Sequence, residues 1–160
     1  MRKLIASALL AAVSLVAVAA VPLALAQTPA APTAAAAPPR TASPPGAEVY
    51  FISPKDGATV HNPVLVQFGL KGMGIAPAGV KFDNTGHHHL LIDSDPPADQ
   101  SLPLPATDKL VHFGKGQTQT TVELTPGKHT LQLVFADLNH IPHSPPVLSQ
   151  KITITVQATR

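Results

Sequence analysis

The chain contains no cysteine. That absence excludes a disulfide framework, thiolate metal sites and a cysteine nucleophile. It also excludes the blue-copper type of electron carrier, whose ligand set needs a cysteine sulfur, and a lipid anchor attached through cysteine. Stability must come from packing alone. Charge is sparse as well, with 11 Lys and Arg against 9 Asp and Glu. Arg2 and Lys3 fall in the segment read below as a leader, and the remainder then carries nine of each sign. No Lys/Arg cluster is left to track a phosphate backbone, so nucleic-acid binding is not expected. Sustained helical periodicity is missing too. The serines of the folded part sit in turns and Pro-rich loops, not on the strand-to-helix elbow of a serine hydrolase.

What is present begins with Met1-Arg2-Lys3 and an uncharged Ala/Leu/Val-rich run to Leu25. Early positive charge followed by an apolar stretch is the pattern of an export signal. Ala24-Leu25-Ala26 before Gln27 has the small-residue form of a cleavage site. A retained membrane anchor is the alternative, since the run is long enough to span a bilayer, but Pro22 interrupts it. Residues 1–26 are therefore read as a signal peptide, leaving no membrane insertion after cleavage and a periplasmic or secreted product. Residues 27–47 are almost wholly Ala, Pro, Thr and Ser, a composition with little to bury, and are read as a disordered or semi-extended tether. The folded domain is expected over residues 48–157.

Within it the pattern is strand-like. Val49 to Ile52 is a β-branched and aromatic run closed by the turn Pro54-Lys55-Asp56-Gly57. Val64, Val66, Phe68 and Leu70 alternate with less apolar neighbours at a period of two. Further strands are expected at His87 to Asp93, Leu110 to Phe113, Gln117 to Leu124, His129 to Ala136 and Lys151 to Val156. About seven strands divided by turn signals point to an all-β fold, an immunoglobulin-like antiparallel β-sandwich. Such folds often hold a tyrosine at a tight corner, bonded back to the upstream backbone. Here Thr125-Pro126-Gly127-Lys128 makes the corner and His129 takes the comparable place. Two long irregular connections, Gly72 to Gly86 and Ser94 to Asp108, are functional candidates by their length.

The chemical signal is histidine. All eight lie in the expected domain: His61, His87, His88, His89, His112, His129, His140 and His143. Alternation along a strand sends His87 and His89 to one face and His88, with Leu90 and Ile92, to the other, which is read as core. Two neutral imidazoles on one face form half of a copper or zinc site. His140 and His143 flank Ile141-Pro142 in a loop expected to leave the preceding strand, and proline stiffness would preorganise them. His112 shares a face with Leu110 and is weighed both as a satisfied core residue and as a further ligand. The expected metal set is therefore His87, His89, His112, His140 and His143. His129 is read as the corner's hydrogen-bonder and His61 as a solvated turn residue. Met73, between glycines, is read as a gap-filler before a copper ligand.

The runs Gly86-His87-His88-His89-Leu90-Leu91-Ile92-Asp93, His112-Phe113-Gly114-Lys115-Gly116-Gln117-Thr118, Pro126-Gly127-Lys128-His129-Thr130-Leu131-Gln132-Leu133 and Asn139-His140-Ile141-Pro142-His143 resemble an exported bacterial family, domain of unknown function 4399. The resemblance covers nearly all of residues 48–157. It implies a periplasmic single-domain protein and brings no activity or ligand set.

These readings lead to three expectations. The first is a periplasmic metal-binding protein, with copper ahead of zinc. The second is a non-enzymatic module that presents a surface to a periplasmic partner, its histidines supporting loops or sensing pH. An enzyme comes last. A His-x-His strand pair bears a faint likeness to copper–zinc superoxide dismutases, but the cysteines that brace those enzymes are absent here.

Overall fold

In the computed structural model, residues 39–158 are described, and among them there is no helix. Ten strands follow in chain order: β1 (Glu48–Ser53), β2 (Thr59–Val60), β3 (Val64–Lys71), β4 (Gly74–Ile75), β5 (Thr85–Ile92), β6 (Leu110–His112), β7 (Gln119–Val122), β8 (Gly127–Ala136), β9 (Pro142–Leu148) and β10 (Ile152–Val156). The seven strands expected from alternation are all there. The signal-peptide reading of residues 1–26 and the first part of the tether reading fall outside the described residues.

Two sheets form an all-β sandwich. The smaller is antiparallel, in the order β1-β3-β7. The larger is organised around β8, whose ten residues are long enough to serve several partners. Along one side β8 pairs antiparallel with β5, setting His87 opposite Ala136 and His89 opposite Val134. Along the other, its first half pairs with β10 and its last residues with β9. Beyond β5 lie β6, antiparallel, and the short parallel β4.

Period-two alternation decides what each face buries. Leu131, Leu133 and Phe135 of β8, Leu90 of β5 and Ile154 of β10 point between the sheets and pack with Val49, Val66 and Phe68. Met73 packs at the margin of this core, as a gap-filler does. The opposite face of the larger sheet is also covered. There Leu91, Val134, Ala136 and Leu110 gather with Leu104, which comes from the long connection after β5. That connection roofs the outer face and turns β5 into a strand buried on both sides, from Gly86 to Leu91.

One segment departs from expectation. The stretch holding His143 is not a loop but the edge strand β9, although it contains Pro142, Pro145 and Pro146. Prolines are tolerated on an edge strand because the missing N–H is not needed by a neighbour. Backbone pairing also begins before residue 48. Arg40 to Ser43 lie along β9: Ser43 N donates to Ser144 O at 3.1 Å, Ser144 N donates to Thr41 O at 2.9 Å, and Ala42 bridges Ser144 in parallel. The part of the 27–47 tether within the described residues therefore extends the sheet rather than hanging free of it.

Candidate metal centre

The site is assembled from three pieces of chain. β5 supplies His87 and His89, two residues apart and so on one face. β6 supplies His112, directly opposite His89 in the antiparallel register. The turn after β8 supplies His140. One ring nitrogen from each of His87, His89, His112 and His140 lies within 4.8 Å of the other three. The rings crowd one another, with centroids 4.5 Å apart for His112 and His140 and 4.8 Å for His87 and His89.

Local backbone features explain how the rings meet. A Cβ on Gly114 would stand 2.2 Å from the His112 ring, so this glycine leaves the space in which that imidazole lies. At Gly86 a Cβ would meet the Ala136 carbonyl oxygen at 2.3 Å, so glycine allows β5 and β8 to approach closely just before the histidine run. His140 has φ of 65°, in the left-handed region that histidine enters more readily than most residues. The turn holds it there. Asp137 Oδ1 accepts from Asn139 N at 2.9 Å and Ile141 N at 3.0 Å, and Leu104 N donates to His140 O at 2.9 Å. The other long connection braces the neighbouring turns, through Ala78 N to Gly114 O and Gly79 N to Leu138 O. Both long connections thus support the site.

His87 and His89 face away from the sandwich core, as alternation requires, but they do not face solvent. They are 0% and 1% exposed. The sequence gives no sign of this, because the cover comes from distant loops. Burial, first, and then the neighbouring His140 and His112 hold the His87 pKa down at about 4. Burial followed by the charges of His87, His112 and His140 pushes His89 down to about 2. His112, at the rim, is lowered by desolvation and by His140. These imidazoles are neutral at physiological pH, the form in which a ring nitrogen offers a lone pair.

The hydrogen bonding of the cluster is incomplete. His87 Nε2 meets His140 Nδ1 at 3.1 Å, whereas His87 Nδ1 and both nitrogens of His89 are buried without a partner. Each orphaned polar atom costs about 1–3 kcal/mol, and native proteins keep few of them. The unpaired nitrogens of His87 and His89, close to ring nitrogens of His112 and His140, fit a first-row metal ion, whose bonds to nitrogen are about 2.0–2.1 Å. A cavity of about 260 Å³ lined by His89, His112, His140, Leu104, Pro105 and Ala106 gives access from outside.

His143 does not join this set. Its strand turns it into the protein, where it is fully buried, stacks on Phe135 with centroids 5.9 Å apart, and places Nδ1 3.3 Å from Phe135 O. His88 faces the core as expected, between the rings of Phe68 and Phe135, each 5.1 Å away. His129 makes the corner contacts expected of it: Nε2 donates to Thr125 O at 2.8 Å and Nδ1 meets Asp93 Oδ2 at 2.7 Å. His61 is exposed. Asp137 and Leu104, which set the position of His140, escaped the sequence reading. Nothing in the local pattern marks a buried aspartate in a turn or a leucine in a long loop as part of a site.

Residues 66–157 match the family described as Domain of unknown function (DUF4399). The chain belongs to this family. The matched span contains every histidine of the cluster, together with Asp137 and Leu104, and starts within β3. No curated protein and no solved structure matches the chain significantly.

Proposed function

We propose that this protein is an exported, non-enzymatic metal-binding protein that holds one transition-metal ion, copper in preference to zinc, through His87, His89, His112 and His140. The observation that carries the reading is the convergence of four imidazoles, two of which, His87 and His89, keep buried ring nitrogens without partners. An all-imidazole set suits Cu(II) and Zn(II), and Cu(II) binds nitrogen sites more tightly in the divalent series. Four protein ligands favour holding over turnover, because catalytic zinc sites keep a position open. The exposed His112 edge and the adjoining cavity allow the ion to enter and leave. Export rests on the N-terminal pattern of residues 1–26, and the natural setting of the reading is the periplasm.

Calorimetric titration of the metal-free protein tests this. One equivalent of Cu(II) is expected to bind, with Zn(II) weaker, and both lost in the His87→Ala, His89→Ala double variant. Affinity no tighter than about millimolar, a threshold corresponding to only about 4 kcal/mol, or affinity unchanged in the double variant, would refute it.

A further inference from the structure

The short arm before β1 reaches the candidate metal centre through one aspartate. Thr41 Oγ1 donates to Asp137 Oδ2 at 2.7 Å. The other oxygen of that carboxylate accepts the amides of Asn139 and Ile141, which bracket His140. Asp137 is 3% exposed, and these three donors satisfy its carboxylate. Arg40 grips the far side of the same turn. Its Nε donates to Pro142 O at 2.9 Å, and its guanidinium also donates to the His143 carbonyl oxygen. Backbone bonds from Thr41 and Ser43 to Ser144 complete the attachment.

His140 is the member of the cluster that depends most on such support. His87, His89 and His112 project from paired strands, whereas His140 stands on a turn in the left-handed region. Strained backbone of this kind persists only where surrounding bonds over-determine it. The arm supplies part of that determination.

We propose that residues Arg40 to Ser43 form a latch, with Thr41 and Asp137 as positioning residues, whose docking on β9 keeps His140 in the metal's ligand set. The inference rests on the metal-binding reading. Undocking the arm frees one carboxylate oxygen of Asp137, loosens the turn and leaves an ion on the three strand histidines. The arm joins the domain to the Ala/Pro-rich stretch preceding it, so displacement by a competing extended segment at the β9 edge becomes a route to metal release. Pairing of an added segment with a sheet edge is an established recognition mode.

The test uses the folded protein carrying Thr41→Val, Thr41→Ser or Arg40→Gln, beside the parent. Three readouts apply: Cu(II) affinity by competition titration, release rate in a chelator chase, and the nitrogen hyperfine pattern of the Cu(II) electron paramagnetic resonance spectrum. Thr41→Val is expected to weaken binding about 10-fold or more, within the range for groups that orient a ligand, to speed release, and to reduce the pattern from four nitrogens to three. His140→Ala should give the same spectrum, and Thr41→Ser should restore the parent's. Arg40→Gln should act in the same direction, and it carries the test if Thr41→Val does not fold. Parent-like affinity, release and spectrum in Thr41→Val and Arg40→Gln overturn the latch while leaving the metal site standing. A parent that binds no Cu(II) overturns the metal reading and the latch with it.

Discussion

His89 and His112 sit directly opposite each other in the β5–β6 register, with ring centroids 5.1 Å apart. The pair joins a strand residue that is fully buried to one that is exposed. It therefore marks the inner wall and the outer rim of the same site, and different substitutions there have separable effects.

His89→Ala should abolish tight metal binding, a larger loss than the roughly 10–100-fold typical of groups that only orient a ligand. His143→Ala should leave metal affinity unchanged within a few fold, because that ring stacks on Phe135 away from the cluster. It should instead lower the melting temperature. Titration and thermal unfolding of the two variants separate the effects, and a loss of metal in His143→Ala would count against the assigned set.

Gly114→Ala should weaken metal binding about 10-fold, on the scale of a displaced ligand-orienting group, without touching a ligand. The added methyl would occupy the space of the His112 ring, 2.2 Å from its nearest carbon, and drive that imidazole outward. The ring is at the rim and free to move, so folding should persist. A competition titration of this variant, with circular dichroism to confirm the fold, checks both halves.

His88→Leu should stabilise the metal-free domain. Both ring nitrogens of His88 are buried without partners between Phe68 and Phe135. Replacing an unpaired buried polar group by an apolar one removes a cost of about 1–3 kcal/mol. Chemical unfolding measures the change. Metal affinity should stay near the parent's, because His88 points to the core and not to the cluster.

The metal-free domain should lose stability as pH falls below about 6.5, the ordinary histidine value. Burial lowers the pKa of His88 to about 4 and that of His89 to about 2, so the unfolded chain takes up protons that the folded one refuses. Their contribution is complete above the unfolded pKa and declines through the acid range, by about 1.4 kcal/mol per group per pH unit. His129 has the opposite sign and acts in a higher pH window. Burial works against its charge, but the hydrogen bonds to Asp93 and Thr125 and the Asp93 charge outweigh it and raise its pKa. Its contribution is full below about 6.5 and fades as pH rises through the raised value. Asp93→Asn should lower stability by a nearly constant amount below about 6.5, leaving the acid slope unchanged, and its deficit relative to the parent should shrink as pH rises above that value. Melting temperatures at pH 5, 6, 7 and 8 for the parent and Asp93→Asn test the sign.

Much of the fold is legible along the chain, because strand alternation is local. Val64 to Leu70 and Ile152 to Val156 show which face is buried before any neighbour is known. The separation of His88 from His87 and His89 follows from the same rule. The corner held by His129 could be placed because the turn residues Pro126 and Gly127 announce it. What escaped depends on distant contacts. Pro142, Pro145 and Pro146 read as loop, since sequence does not reveal that β9 lies at an edge and meets the arm near Thr41. His143 went with His140 because the two are close in sequence, yet β9 turns one inward while the preceding turn lifts the other over the sheet. His89 is walled by Leu104 and its loop and His87 by the His140 turn, and both covers come from chain that follows β5 at a distance.

X-ray absorption of the protein loaded with one equivalent of Cu(II), and separately of Zn(II), reads the ligand set itself. An inner shell dominated by imidazole nitrogens at about 2.0 Å is expected, four in the parent and three in His140→Ala. An oxygen-dominated shell, or one unchanged by His140→Ala, would contradict the assigned set.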